Sequence, residues 1–156
     1  MTARLASVAL EACAKVIDGK YVAKQIRDEI STEASRMKEA IGVVPGSAEI
    51  LVGDRKDSAT NVHNKKKACE SVGINSFEVH LPADSKEEDV LKFISGFNDE
   101  PSVHGILVHL PPSSHMNEQS ILNAVTIKKD VDGFHPLNIG RLAMRGGKLL
   151  FVPCTP

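Results

Sequence analysis

Short apolar runs alternate along this chain with stretches of helical periodicity, and only a few residues link one to the next. From residue 18 to 41 the apolar positions Val22, Ala23, Ile26, Ile30, Ala34 and Met37 recur at three- and four-residue steps until Gly42 and Pro45 break the pattern. That spacing predicts a long amphipathic helix. Residues 47–52 form a short apolar run closed by Gly53-Asp54, which predicts a buried strand feeding a loop. Asp57 or Ser58 can cap a second helix that runs to about Val72 and stops at Gly73. Residues 77–81 predict the next strand, and Ser85 can cap a helix through Phe97 whose first turn carries Glu87, Glu88 and Asp89, where acidic groups complement the helix dipole. Residues 104–110 predict a third strand ended by Pro111-Pro112, Asn117 a cap for a helix over 121–125, residues 138–144 a further short helix, and residues 149–152 an extended segment.

This alternation dictates an α/β fold: three layers, α-β-α, around a mainly parallel sheet with right-handed crossovers. In such sheets ligands bind outside the carboxyl ends of the strands. Those ends are Gly53-Asp54-Arg55, Leu81-Pro82 and His109-Leu110-Pro111. At 156 residues the chain has the material of one domain.

Charge and cysteine content narrow the partners. Nineteen basic side chains face twenty acidic ones, with no basic run longer than Lys65-Lys66-Lys67, so no nucleic acid or anionic membrane is expected and a small solute is. Cys13, Cys69 and Cys154 are odd in number and have no CxxC spacing; they read as reduced intracellular thiols rather than a disulfide framework or zinc site. His63, His80, His104, His115 and His135 show no metal-ligand spacing, so no metal is assigned. No stretch approaches the roughly 18 to 20 apolar residues of a membrane-spanning helix, so the chain is expected to be soluble. Residues 1–15 lack the charged start and apolar core of a secretory signal; their Ala and Ser content could suit an organellar transit peptide, but the segment is short with few arginines and reads as a flexible extension.

Several residues could carry chemistry. Ser58, Asn61 and Lys65 fall at i, i+3 and i+7 on the second helix, near one face. A lysine desolvated there could act as acid or base, or the Lys-Lys-Lys run could be a solvated charged face. His109 emerges from an apolar strand end, where a neutral imidazole could orient a water or a substrate carbonyl, or simply be a satisfied structural histidine. Asp130 and Asp132 lie in the glycine-closed loop Lys129-Asp-Val-Asp-Gly133; such a pair could grip the amidine-like edge of a heterocycle, or shape the turn. Glu49 sits mid-strand, where a parallel sheet buries both faces, so it either points into a polar site or destabilises the domain. Arg141, Arg145, Gly146 and Gly147 match neither GxGxxG nor GxxxxGK, and no nucleotide-phosphate loop is visible.

Taken together, Val52-Gly-Asp-Arg-Lys-Asp-Ser58, Lys65-Lys-Lys-Ala-Cys-Glu70 with Val72-Gly-Ile74, Val103-His-Gly-Ile-Leu-Val108 with Leu110-Pro111, Lys129-Asp-Val-Asp-Gly133, Asn138-Ile-Gly-Arg-Leu142 and Pro153-Cys-Thr-Pro156 resemble the bifunctional methylenetetrahydrofolate dehydrogenase/methenyltetrahydrofolate cyclohydrolase family, in wording closest to its plant members. The resemblance implies oxidation of 5,10-methylenetetrahydrofolate with NADP and hydrolysis of the methenyl product to 10-formyltetrahydrofolate. It implies Lys65 as the general acid/base of the hydrolysis, His109 in the place of a glutamine that positions the reacting water and the lysine, Asp132 as the residue that holds the pterin, and Ser58 as support for that face. It places Asn61 where the family carries a tyrosine that stacks on the folate ring, so stacking is lost. It also makes Glu49, with Ser47, a departure from an apolar strand, an expected threat to stability.

The resemblance divides the chain into a flexible extension at 1–15, a folate-binding catalytic domain at 16–152, and at 153–156 the start of a connection to a Rossmann NAD(P)-binding domain that the sequence lacks. NADP binding and hydride transfer are therefore not expected of these residues, and hydrolysis is expected to be weak. The alternatives are a non-catalytic remnant that binds folate or pairs with a full-length subunit, and a gene fragment; a homodimer is a further possibility. The expected compartment is the cytoplasm, with mitochondrion or plastid as the alternative.

Overall fold

The computed structural model describes residues 16–53, 56–110 and 114–144, with only the backbone for 56–59. The extension at 1–15, the extended segment at 149–152 and the connection at 153–156 lie outside the described residues.

The first helix, α1 (Gly19–Ile41), starts where the Asp18 side chain accepts hydrogen bonds from Lys20 N at 3.0 Å and Tyr21 N at 3.2 Å, and ends at Gly42 in the left-handed conformation. Strand β1 (Gly46–Val52) follows, then α2 (Lys56–Val72), β2 (Asn75–Leu81), α3 (Glu87–Asp99), β3 (Gly105–Val108), α4 (Glu118–Ala124) and α5 (Pro136–Ala143). The three strands form one parallel sheet in the order β2-β1-β3, with Ala48 opposite Phe77 and Ile106, and Ile50 opposite Val79 and Val108. The α/β architecture and parallel sheet are as expected.

Alternation along β1 separates two chemistries, because successive side chains of a strand point to opposite faces. Ala48, Ile50 and Val52 join Ile106 and Val108 of β3, Val90 and Ile94 of α3 and Ile121 of α4 in the apolar core. Phe77, Val79 and Leu81 of β2 extend the same face. The opposite face carries Glu49 and Leu51, and α2 lies over it with α1 packed on α2. This second face is the polar one.

Several expectations need correction. Helix α2 begins at Lys56, so Asp57 and Ser58 lie inside its first turn rather than at its cap. Helix α3 begins at Glu87, and Lys86, not Ser85, holds the cap position without a side-chain hydrogen bond. The Ser85 carbonyl instead takes His115 Nε2 at 2.8 Å. Helix α5 begins at Pro136, two residues earlier than expected, because the His135 ring accepts from Leu137 N and proline suits the first turn. Helix α1 needs no such correction: it spans the expected residues, and its apolar stripe is not covered by the described residues, with only Ala34 buried and Val22, Ile26 and Ile30 40%, 49% and 40% exposed.

Candidate active site

Glu49 is buried in β1 with a side-chain partner. It is 3% exposed, and its Oε2 lies 3.1 Å from Nε2 of His109, whose side chain is itself only 11% exposed. The backbone makes this meeting possible: β1 and β3 are paired in parallel, and His109 N donates to Ile50 O at 2.9 Å just beyond the last residue of β3. A buried carboxylate with a hydrogen-bonded, chargeable partner avoids the cost of an isolated buried charge. The carboxylate expected to threaten stability thus has a hydrogen-bonding partner sixty residues away.

Helix α2 contributes Lys65, half-buried, with Cys69 one turn later on the same side. Burial pushes the Cys69 thiol up, the Glu49 carboxylate adds to that, and the Lys65 cation opposes it. Lys65 and Cys69 therefore sit within electrostatic reach of one another, and Glu49 of Cys69. Asn61, one turn before Lys65, is exposed. Ser58 belongs to the first turn of α2, and its side chain is outside the described residues. Lys66 turns instead to β2, where its Nζ lies 3.4 Å from Glu78 Oε1 as an ion pair without a hydrogen bond.

The loop after α4 resolves the two aspartates into different roles. Asp130 is buried and fully used: Oδ1 accepts from Gly133 N at 3.0 Å, and Oδ2 accepts from His135 N at 3.0 Å and Asn138 Nδ2 at 2.8 Å. It shapes the turn and the start of α5. Asp132 is half-buried. Burial pushes its carboxyl above the ordinary value; the Lys65 cation pulls it back, Asp130 raises it, a charged His109 lowers it and Glu49 raises it. Asp132 thus shares one field with Lys65, His109 and Glu49.

The loop is pinned from below. Ile106 N of β3 donates to Lys129 O at 2.7 Å, and a single parallel bridge joins Ile106 to Asp130. Lys129 Nζ caps the end of α3 by donating to the carbonyls of Phe97, Asn98 and Glu100, each at 2.8 Å. At Gly105 an added Cβ would stand 2.6 Å from Val131 Cγ1, so β3 and the loop can approach only without a side chain there. These contacts fix the loop that carries Asp132 beside β3.

The described residues do not fit a dinucleotide cofactor. A pyrophosphate cradle needs free backbone N–H groups in an open glycine turn. The glycine that ends β1, Gly53, donates its N–H to Leu81 O at 2.8 Å and faces Ala83, where an added Cβ would stand 3.5 Å from the alanine methyl. Among the described residues no group of three or more histidine, cysteine or acidic side chains could hold a metal ion.

Residues 17–132 match the family model described as tetrahydrofolate dehydrogenase/cyclohydrolase, catalytic domain. The chain belongs to this family. It is 77% identical over 146 residues to the bifunctional protein FolD 4, chloroplastic, of Arabidopsis thaliana, covering 94% of this chain and 41% of that protein. It is 55% identical over 143 residues to FolD 2 of the same plant, covering 92% and 48%. Among solved structures, the FolD methylenetetrahydrofolate dehydrogenase/cyclohydrolase of Campylobacter jejuni superposes with a TM-score of 0.81 at 41% identity, over 89% of this chain and 49% of that one. The Trypanosoma brucei FolD, solved with NADP cofactor and inhibitor, superposes with a TM-score of 0.87 at 37% identity, over 90% and 48%. The chain spans about half the length of these FolD relatives.

Of the expected site residues, Lys65 and His109 lie within electrostatic reach of Asp132. Asn61 shares the helix face but stays exposed, and the Ser58 side chain lies outside the described residues. Sequence reasoning did not assign Cys69, Asn138 or the capping role of Lys129. A usable signal existed only for Glu49, a carboxylate inside an apolar strand.

Proposed function

We propose that this domain binds a reduced folate at the carboxyl ends of β1 and β3 and slowly hydrolyses its methenyl form to 10-formyltetrahydrofolate. The supporting observation is the shared electrostatic field of Asp132, Lys65 and His109. A carboxylate such as Asp132 can accept two N–H groups from the edge of a pterin and fix its orientation. Lys65 then passes a proton to the nitrogen that leaves the reacting carbon, and His109 orients the attacking water. Ser58 supports the same face of the substrate. Asn61 offers an amide and no ring, so folate is held weakly.

The oxidative half of the family reaction is not assigned to this domain, since the described residues do not fit NADP. This domain on its own is therefore expected to show no NADP-dependent oxidation of methylenetetrahydrofolate. The chloroplastic name of the 77%-identical relative supports a plastid location over the cytoplasmic one.

A second reading, a folate-binding or pairing subunit without turnover, is favoured by the uncovered row Val22, Ile26 and Ile30 on α1, an apolar surface suited to a full-length FolD chain or a second copy. The deciding experiment is hydrolysis of methenyltetrahydrofolate by this chain and by its Lys65→Met variant, alongside folate titration. Saturable turnover lost with Lys65→Met supports the hydrolase. Saturable binding without lysine-dependent turnover selects the second reading, and the absence of both signals removes each.

A further inference from the structure

We propose that Glu49 is a positioning residue: it fixes the His109 ring through Nε2 and so makes Nδ1 the proton-accepting atom for the water that attacks the substrate. This rests on the hydrolase reading and adds a residue to it. An ionised carboxylate only accepts hydrogen bonds, so across the 3.1 Å contact Nε2 carries the proton and Glu49 Oε2 receives it. Neutral imidazole has one N–H, and Nδ1 is then left with the lone pair.

Glu49 of β1 touches this ring, and both His109 and Lys65 of α2 lie within electrostatic reach of Asp132, on the loop that β3 pins in place. In the hydrolysis, an oxygen lone pair of water forms the C–O bond to the amidinium carbon while the π pair of the C=N bond moves onto nitrogen. The water O–H bond breaks and its proton passes to Nδ1. As the adduct collapses, the C–N bond to the departing nitrogen breaks while the hydroxyl oxygen forms C=O. The hydroxyl proton reaches that nitrogen through Lys65, and the imidazolium later releases its proton to solvent. The resulting imidazolium keeps both N–H groups, one held by Glu49, whose negative charge offsets the new positive one. A glutamine at position 109 could orient water but could not take this proton. The carboxylate in β1 and the histidine at the end of β3 are thus one functional unit.

The test combines a spectroscopic and a kinetic arm. In ¹⁵N-histidine-labelled protein, His109 should show a protected, downfield Nε2–H that exchanges slowly with water, and Glu49→Leu should abolish it. Glu49→Leu should lower kcat for methenyltetrahydrofolate hydrolysis at least about tenfold with little change in KM, as expected when a general base loses its orientation. In a His109→Gln background the same substitution should leave kcat unchanged. A His109 protonated at Nδ1, a Nε2–H that survives in Glu49→Leu, or an equal kcat loss in both backgrounds would overturn the proposal. Should the chain show no lysine-dependent turnover, the hydrolase reading fails, and with it the proton-accepting role of Nδ1; the protected Nε2–H then decides separately whether Glu49 positions the ring.

Discussion

Asp130 and Asn138 are joined by a 2.8 Å hydrogen bond from Asn138 Nδ2 to the Asp130 carboxylate, both residues being buried. This contact ties the start of α5 to the loop that presents Asp132. Asp130→Ala would strip acceptors from two backbone N–H groups and one side-chain amide at once. A buried donor left unsatisfied costs on the order of 1 to 3 kcal/mol, and the three share one neighbourhood, so the expected total loss is about 3 kcal/mol. Urea unfolding should report it, and folate affinity should fall as well because Asp132 loses its anchor. A loss under about 1 kcal/mol would mean that water replaces the carboxylate without strain.

Much of the scaffold was legible from local chemistry. Asn117 caps its helix as expected, and Gly42 and Gly73 end helices in the left-handed conformation. Ser85 misled, because the chain there is held by His115 across a loop, a contact that no local pattern announces. The site was half legible. Lys65, His109 and Asp132 followed from family resemblance, whereas spacing alone could not separate Asp130 from Asp132, since two carboxylates at i and i+2 look alike until their donors are known. Glu49 was ambiguous for the same reason: whether a buried charge is a flaw or a device depends on a partner sixty residues away.

The raised carboxyl of Asp132 makes a stability prediction with a definite sign. Burial favours the protonated form in the folded state, so the folded chain holds this proton above the ordinary value of 3.8 that applies when unfolded. Its contribution is therefore fully present below pH 3.8 and is lost as pH rises through the folded value. At neutral pH the ionised group weakens the fold. Asp132→Asn should raise the urea midpoint at pH 7, flatten the loss of stability through the mildly acidic range, and abolish folate binding. An Asp132→Asn variant less stable than wild type at pH 7 would show that the carboxylate is paired well enough to repay its burial.

Cys69 reports on the same field without any ligand. Its thiol is pushed up by burial and by Glu49, so less of it is thiolate at pH 8 than in a free cysteine. Iodoacetamide labelling of the Cys69 peptide, resolved from those of Cys13 and Cys154 by mass spectrometry, should be several-fold slower than in urea. Glu49→Gln should speed it, and Lys65→Met should slow it by removing the cation that favours thiolate. Equal rates in all three proteins would place Glu49 and Lys65 out of electrostatic reach of the thiol.

Asn61 offers the most direct gain of function. It is exposed and stands one turn before Lys65 on α2, so a larger side chain there meets no core to displace. A tyrosine would place an aromatic face beside a substrate held by Asp132, and such stacking is worth about 0.5 to 1.5 kcal/mol beyond the area it buries. At the upper end that is roughly tenfold in affinity. Because the ring also orients the pterin relative to Lys65, Asn61→Tyr should raise turnover as well as binding, and it should do so only while Lys65 is present. Calorimetric titration with a folate, in wild type, Asn61→Tyr and Asn61→Tyr/Lys65→Met, together with hydrolysis rates, separates the two effects: affinity should rise in both tyrosine variants, turnover only in the first. An unchanged Kd would remove stacking as the missing element and leave weak binding to be explained by the geometry of Asp132.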